Sequence, residues 1–147
     1  MNGKEKKTTG ACVCGALKFE FTGEPAMKAL CHCLECQHRT GSAYTTNLLI
    51  PRTNFTFKPS SPSVMKTYTF TQSDTGLHFK TTFCGECGTL ISKANDEAED
   101  FKPVYIVGAG CLDDGIGSAK PDAELWVGHR ANWLPAMDGA AQLKGFS

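Results

Sequence analysis

The 147-residue chain has no apolar run that reaches across a bilayer. Its longest, around Leu48–Ile50 and Val104–Val107, are far shorter than the roughly 20 residues a membrane helix needs. It lacks an apolar h-region at its start, where Met1–Gly10 is rich in Lys and Thr, so no secretory signal is expected. It lacks a charge excess: 15 Lys and Arg balance 15 Asp and Glu, which leaves no electrostatic grip on nucleic acid or an anionic membrane surface. Internal repeats, linkers and long amphipathic helices are also missing. The expectation is a polar N-terminal tail, 1–10, followed by a single domain, 11–147, large enough for one proper core.

What the chain has is short alternating segments. Ala16–Phe21 alternates apolar and polar residues, the period of a half-buried strand, and ends at Thr22-Gly23-Glu24-Pro25. Met27–Leu30, Ala43–Ile50, Asn54–Phe57, Val64–Thr71, Leu77–Phe83, Leu90–Lys93, Val104–Val107 and Glu124–Val127 read as further extended pieces. Gln72–Gly76 reads as a hairpin turn, Glu35–Thr40 as a short helical turn before Gly41, and Trp133 onward as an irregular surface tail. The fold class is mostly β.

It is also rich in cysteine, with eight, and seven of them fall in three tight runs. These are Cys12-Val-Cys14-Gly15, Cys31-His32-Cys33-Leu34-Glu35-Cys36 and Cys84-Gly85-Glu86-Cys87-Gly88. Zinc holds thiolates at about 2.3 Å in a tetrahedron, and a C-x-C or C-x-x-C turn supplies two such ligands from one bend of backbone. Cys12, Cys14, Cys84 and Cys87 together fill one closed structural site, tying the N-terminal segment to the middle of the chain. Cys31, Cys33 and Cys36 leave one position open, the pattern of a catalytic zinc. A disulfide framework is disfavoured, because no signal peptide is seen and cysteine-rich chains without one point to a reducing, cytoplasmic compartment.

With these residues in order, the chain resembles the glutathione-dependent formaldehyde-activating enzyme family, whose domain is shared with a vertebrate centromere-associated protein. The resemblance rests on Gly10-x-Cys-x-Cys-Gly15, on Cys31-His-Cys-x-x-Cys36 leading into Arg39-Thr-Gly-Ser42, and on Phe83-Cys-Gly-x-Cys-Gly88. Gly110-Cys-Leu-Asp-Asp114, Pro121, Trp126 and Asn132-Trp133 complete it. It implies an Mss4-like fold of small antiparallel sheets with zinc-binding turns and the same division of cysteines between two zinc ions. It further implies carbon–sulfur lyase chemistry on an adduct of glutathione, or a similar thiol, with a carbonyl compound or other small electrophile. Cys111 departs from the pattern, in which Thr or Ser precedes Leu-Asp-Asp; it reads as a small packed residue or as a thiol near the pocket.

Three thiolates on one divalent zinc leave a net charge of −1 and blunt its Lewis acidity, so hydrolysis is a poor fit and binding of a further sulfur a good one. Arg39 and Ser42 are the candidate contacts for the thiol substrate, since a tripeptide thiol carries two carboxylates and Arg suits a carboxylate. His32, His38, His78 and Glu35 are the proton-shuttle candidates, each also readable as an ordinary loop side chain. Tyr44, Thr45 and Asn47 are candidate pocket residues on the strand leaving the loop. Trp126 reads as a core-closing residue, and His129 and Arg130 as surface residues. The alternative function is a non-catalytic zinc scaffold that binds a protein partner, against which the three-ligand set argues. A thiol redox pair at Cys33 and Cys36 is a second alternative, against which Cys31 and the second set of turns argue.

Overall fold

The computed structural model describes residues 6–147. Every stretch read as extended forms strand. The chain runs β1 (Lys7–Ala11), β2 (Leu17–Thr22), β3 (Met27–Cys31), α1 (Leu34–Thr40), β4 (Thr45–Pro51) and β5 (Phe55–Pro59). It continues with β6 (Met65–Thr71), β7 (His78–Cys84), β8 (Leu90–Ala94), β9 (Val104–Gly108), β10 (Ala123–Leu125) and β11 (Ala141–Gln142). Three expectations need correction. The polar tail ends earlier than residue 10, because Lys7–Ala11 pairs with β2 as β1; residues 1–5 lie outside the described residues. The strand at Glu124 stops at Leu125, because Trp126 adopts a left-handed backbone with φ of 57°. The tail after Trp133 is not wholly irregular, since it returns to add β11 to the sheet edge.

Two sheets form, one of three strands in the order β1-β2-β5 and one of eight in the order β11-β10-β3-β4-β9-β8-β7-β6. Pairing is antiparallel except where β10 runs parallel to both β3 and β11. The alternation in β2 sends Leu17, Phe19 and Phe21 inward, where they pack with Leu48 and Ile50 of β4, Phe55, Ile91 and Val107 as the main core. Burying side chains of this size stabilises by about 1.5–3 kcal/mol each before chain entropy is counted. Gly10, opposite Phe19, has no room for a Cβ beside that ring, so only glycine lets β1 lie this close.

A second cluster gathers Ala29, Cys31, Cys33, Cys36, Ala123 and Leu125, with Trp126, Leu143 and Phe146 packed on its edge. A third places Phe79, Phe101 and Ile106 against Phe146. The C-terminal segment thus lies over the three-cysteine loop.

Candidate functional site

The first set of turns closes across the sheets. Cys12 follows β1 and Cys14 sits in the β1–β2 turn, while Cys84 ends β7 and Cys87 sits in the turn to β8. The four sulfurs all lie within 4.8 Å of one another. Two separations, Cys12 to Cys14 at 3.6 Å and Cys14 to Cys84 at 3.8 Å, match the roughly 3.8 Å edge of a tetrahedron whose centre is about 2.3 Å from each sulfur. They are far too long for disulfides, and all eight cysteines are free. The Leu17 N–H donates to the Cys12 sulfur at 3.2 Å and the Glu86 N–H to that of Cys84 at 3.3 Å. The Thr89 hydroxyl and backbone draw the Cys87 thiol down to about 5. Such a set of soft, thiolate-favouring sulfurs fits zinc.

The second set is local. β3 delivers Cys31, and Cys33 is the N-cap of α1, its sulfur accepting the Cys36 N–H at 3.4 Å. Gly41, with φ of 61°, ends the helix in the left-handed conformation that glycine adopts without a Cβ penalty. The three sulfurs lie within 4.8 Å of one another and all three residues are buried. Hydrogen bonds from Cys31 and Cys33, with the charge of Lys93 and the Thr45 hydroxyl, hold Cys36 far below the usual thiol range despite its burial. Sharing its hydrogen bonds with Cys33 and Cys36 pushes Cys31 the other way. Three sulfurs that close, one already favouring thiolate, fit a soft metal ion with a position to spare.

A cleft of about 230 Å³ opens beside this cluster, lined among others by Arg39, Tyr44, Thr45, Asn47, Lys93 and Cys111. It reaches the cluster through the groups that touch the Cys36 sulfur: Thr45 Oγ1 at 3.3 Å and Lys93 Nζ at 3.7 Å. A smaller chamber of about 30 Å³, room for one water, lies on the other side, lined by Cys31, Asn47, Lys93 and Phe146 among others. Lys93 and Asn47 face both spaces. The expected pocket residues Tyr44, Thr45 and Asn47 therefore line the cleft, as does Arg39, whose Nε donates to Thr81 Oγ1 at 3.2 Å. Ser42 does not. The left-handed turn at Gly41 leaves it exposed, its backbone N–H bonded back to Gln37.

Lys93 is the residue the sequence reading missed. It is 3% exposed, has no carboxylate partner among the described residues, and lies 4.6 Å from the centre of the Phe79 ring. The available signal was its phase: in a strand, Lys93 shares a face with Ile91, which is core. A lysine in register with a core isoleucine needs a buried anion, and the cysteine sulfurs supply it.

The proton-shuttle candidates are not drawn to the cleft. His32 is buried, with Nε2 2.7 Å from Glu124 Oε1, and faces β10. His38 is exposed, and exposed His78 pairs with Glu97 at 2.9 Å. Glu35 accepts the Ser73 N–H at 3.3 Å. His129 pairs with Asp74 at 3.0 Å. Trp126 is partly buried against the three-cysteine cluster, as expected, whereas Trp133 is 72% exposed. Cys111 lines the cleft, its thiol donating to the Leu90 carbonyl at 3.3 Å, and burial pushes it up to about 11, which disfavours the thiolate form.

The family model described as glutathione-dependent formaldehyde-activating enzyme matches residues 7–129. Among solved structures, a Rhodobacter sphaeroides protein shares the fold, with a TM-score of 0.53 and 20% identity over 71% of this chain and 87% of that one. No curated protein matches significantly. No helix among the described residues is long and apolar enough to cross a membrane. With both cysteine sets assembled and the match spanning most of its length, the chain belongs to the glutathione-dependent formaldehyde-activating enzyme family.

Proposed function

We propose that this protein is a zinc-dependent carbon–sulfur lyase that makes or breaks the adduct between glutathione, or a similar small thiol, and a carbonyl compound, with its chemistry at Cys31, Cys33 and Cys36. The supporting observation is a cleft with two cations and no carboxylate in its lining, whose Thr45 and Lys93 touch the Cys36 sulfur of a buried cluster of three cysteines. Cys12, Cys14, Cys84 and Cys87 hold a structural zinc in this reading. A zinc bound by the three-cysteine set would favour the thiolate form of an incoming thiol.

The chain's own residues set the charge around that event. Zinc with three thiolates is an anion, but the ammonium of Lys93 and the guanidinium of Arg39 exceed it by one positive charge. An anionic ligand restores the balance and a neutral one does not. Arg39 and Lys93 thus select an anionic thiol and hold its carboxylate. The Thr45 hydroxyl donates to the Cys36 sulfur, and Lys93 Nζ, 3.7 Å from that sulfur, would donate a hydrogen bond to the oxygen of the adduct. His32 acts on positioning: its bond to Glu124 anchors the Cys31–Cys33 backbone against β10.

Native mass spectrometry of the zinc-loaded protein with and without glutathione tests this reading. Two zinc ions and a glutathione complex that Cys33→Ser abolishes are expected. Two zinc ions with no glutathione complex would overturn glutathione as the thiol and point to another thiol or to a partner-binding role.

A further inference from the structure

A second depression adjoins the cleft. It has a volume of about 440 Å³ and is lined by Arg39, Tyr68, Phe70, Thr81, Phe83, Gly88 and Leu90, so it shares Arg39 and Leu90 with the cleft. Register explains its make-up. In the β6–β7 hairpin Tyr68 stands opposite Thr81 and Phe70 opposite Phe79, while Phe83 follows Thr81 two residues on, so all these side chains share one face. Phe79 is the buried end of that face, stacked on Phe70 at 5.7 Å, and Tyr68 is the open end at 68% exposure. Three aromatic rings thus form a stepped wall from solvent to core, ending at the cysteine cluster's cation.

Arg39 is the hinge of the two spaces. It lies one helical turn beyond Cys36 on α1, so the two share a helix face. Its guanidinium sits 5.3 Å from the centre of the Phe70 ring and bonds to Thr81, which holds it where cleft and groove meet. No carboxylate lines either space among the described residues. A ligand that fills both therefore carries its negative charge near Arg39 and Lys93 and an apolar, flat portion beyond. β6 is a sheet edge, but the charged Lys66 on it opposes pairing with another strand, which favours the aromatic face over the edge as the binding surface.

We infer that the groove of Tyr68, Phe70 and Phe83 is a subsite for an aromatic group on the electrophile half of the thiol adduct. The preferred substrate is then an aryl-bearing compound joined to an anionic thiol. Formaldehyde, with a single carbon, leaves the groove empty. The assignment rests on the lyase reading above and sharpens it.

The test is calorimetric titration of the zinc-loaded protein with S-methylglutathione and S-benzylglutathione, which differ by one phenyl ring. The benzyl compound is expected to bind roughly tenfold more tightly, the usual return on one well-stacked ring, and Tyr68→Ser is expected to remove most of that gain while leaving the methyl compound unchanged. Equal binding of the two compounds overturns the subsite. If neither glutathione compound binds, glutathione is excluded as the carrier, and 2-naphthoate, an aryl anion with no sulfur, decides the groove. Binding of 2-naphthoate that both Arg39→Gln and Tyr68→Ser weaken keeps the subsite; no binding removes it. Sedimentation of the parent as a dimer that Tyr68→Ser dissociates would make the groove a contact between copies and overturn the proposal.

Discussion

The four-cysteine and three-cysteine clusters are built from the same kind of tight turn, yet their surroundings differ in burial, in nearby charge and in the number of ligands they offer. The four-cysteine set lies half in the main core, with Cys12 and Cys84 buried beside Leu17 and Phe19, and half in solvent, with Cys14 and Cys87 exposed. Its hydrogen-bond donors are backbone N–H groups and Thr89, and water screens its excess negative charge. The three-cysteine set is wholly buried, so water is replaced by fixed protein charges, Lys93 and Arg39, and by the Thr45 hydroxyl. One site is saturated and joined to the core; the other is short of a ligand and ringed by cations. The first has the form of a staple, the second of a receptor.

Cutting each cluster should break the molecule in different ways, and the staple should cost more. Cys84→Ser removes a ligand from the set that joins β1 to the β7–β8 turn, and a structural zinc contributes directly to folding. We expect Tm to fall by about 10 °C or more, equivalent to several kcal/mol, or no soluble protein at all. Thermal denaturation followed by circular dichroism checks it, and a parent-like Tm would end the structural role. Cys33→Ser should instead leave Tm within a few degrees, because serine replaces cysteine as the N-cap of α1 without loss of an acceptor. On the proposed function it should abolish lyase turnover and one of two bound zinc ions, read by elemental analysis; full turnover would end the catalytic role.

A smaller change separates the clusters by charge alone. Lys93→Met keeps an unbranched apolar side chain against Phe79 but removes the cation 3.7 Å from Cys36. Metal affinity at the three-cysteine set should drop about 10–100-fold, the usual effect of losing a partner of a ligand, with no change at the four-cysteine set. Chelator competition resolves two affinity classes and shows which moves. Equal weakening of both would mean that Lys93 supports the fold rather than the site.

This contrast also marks what was legible in the chain. Both clusters could be read from sequence because their ligands come in pairs or triples from single turns, where spacing in the chain is spacing in space. The antiparallel hairpin around Gln72–Gly76 and the inward faces of Ala16–Phe21 were legible for the same local reason. Lys93 was not, since it reaches Cys36 only because β9 stands between β4 and β8 in the sheet. Nor was Glu124, whose contacts depend on a parallel β3–β10 pairing that no turn announces. Ser42 falls outside the cleft lining although it is close to Arg39 in sequence, because the chain reverses at Gly41.

Glu124 gives the finest test of what holds the three-cysteine set in place. It is buried, and its carboxylate accepts from the Met137 N–H and from Gln142 Nε2, each at 2.7 Å, and meets His32 Nε2 at 2.7 Å, with Arg130 at 3.4 Å. Burial by itself would push this carboxyl up, but the Met137, Gln142 and His32 bonds and the Arg130 charge hold it at about 2. A carboxyl depressed in the folded state stabilises above its unfolded value of about 4.3, and that stability is lost as pH falls toward about 2. The group it secures is the C-terminal segment bearing Phe146, which roofs the chamber beside Cys31. Glu124→Gln should therefore lower Tm by a few degrees at pH 7 and shrink the difference from the parent between pH 4 and pH 2. It should also raise hydrogen exchange over residues 137–146 more than at the Cys84 turn. Uniform loss of protection across both clusters would show Glu124 to be a general core residue, and the three-cysteine set to owe nothing particular to the segment that covers it.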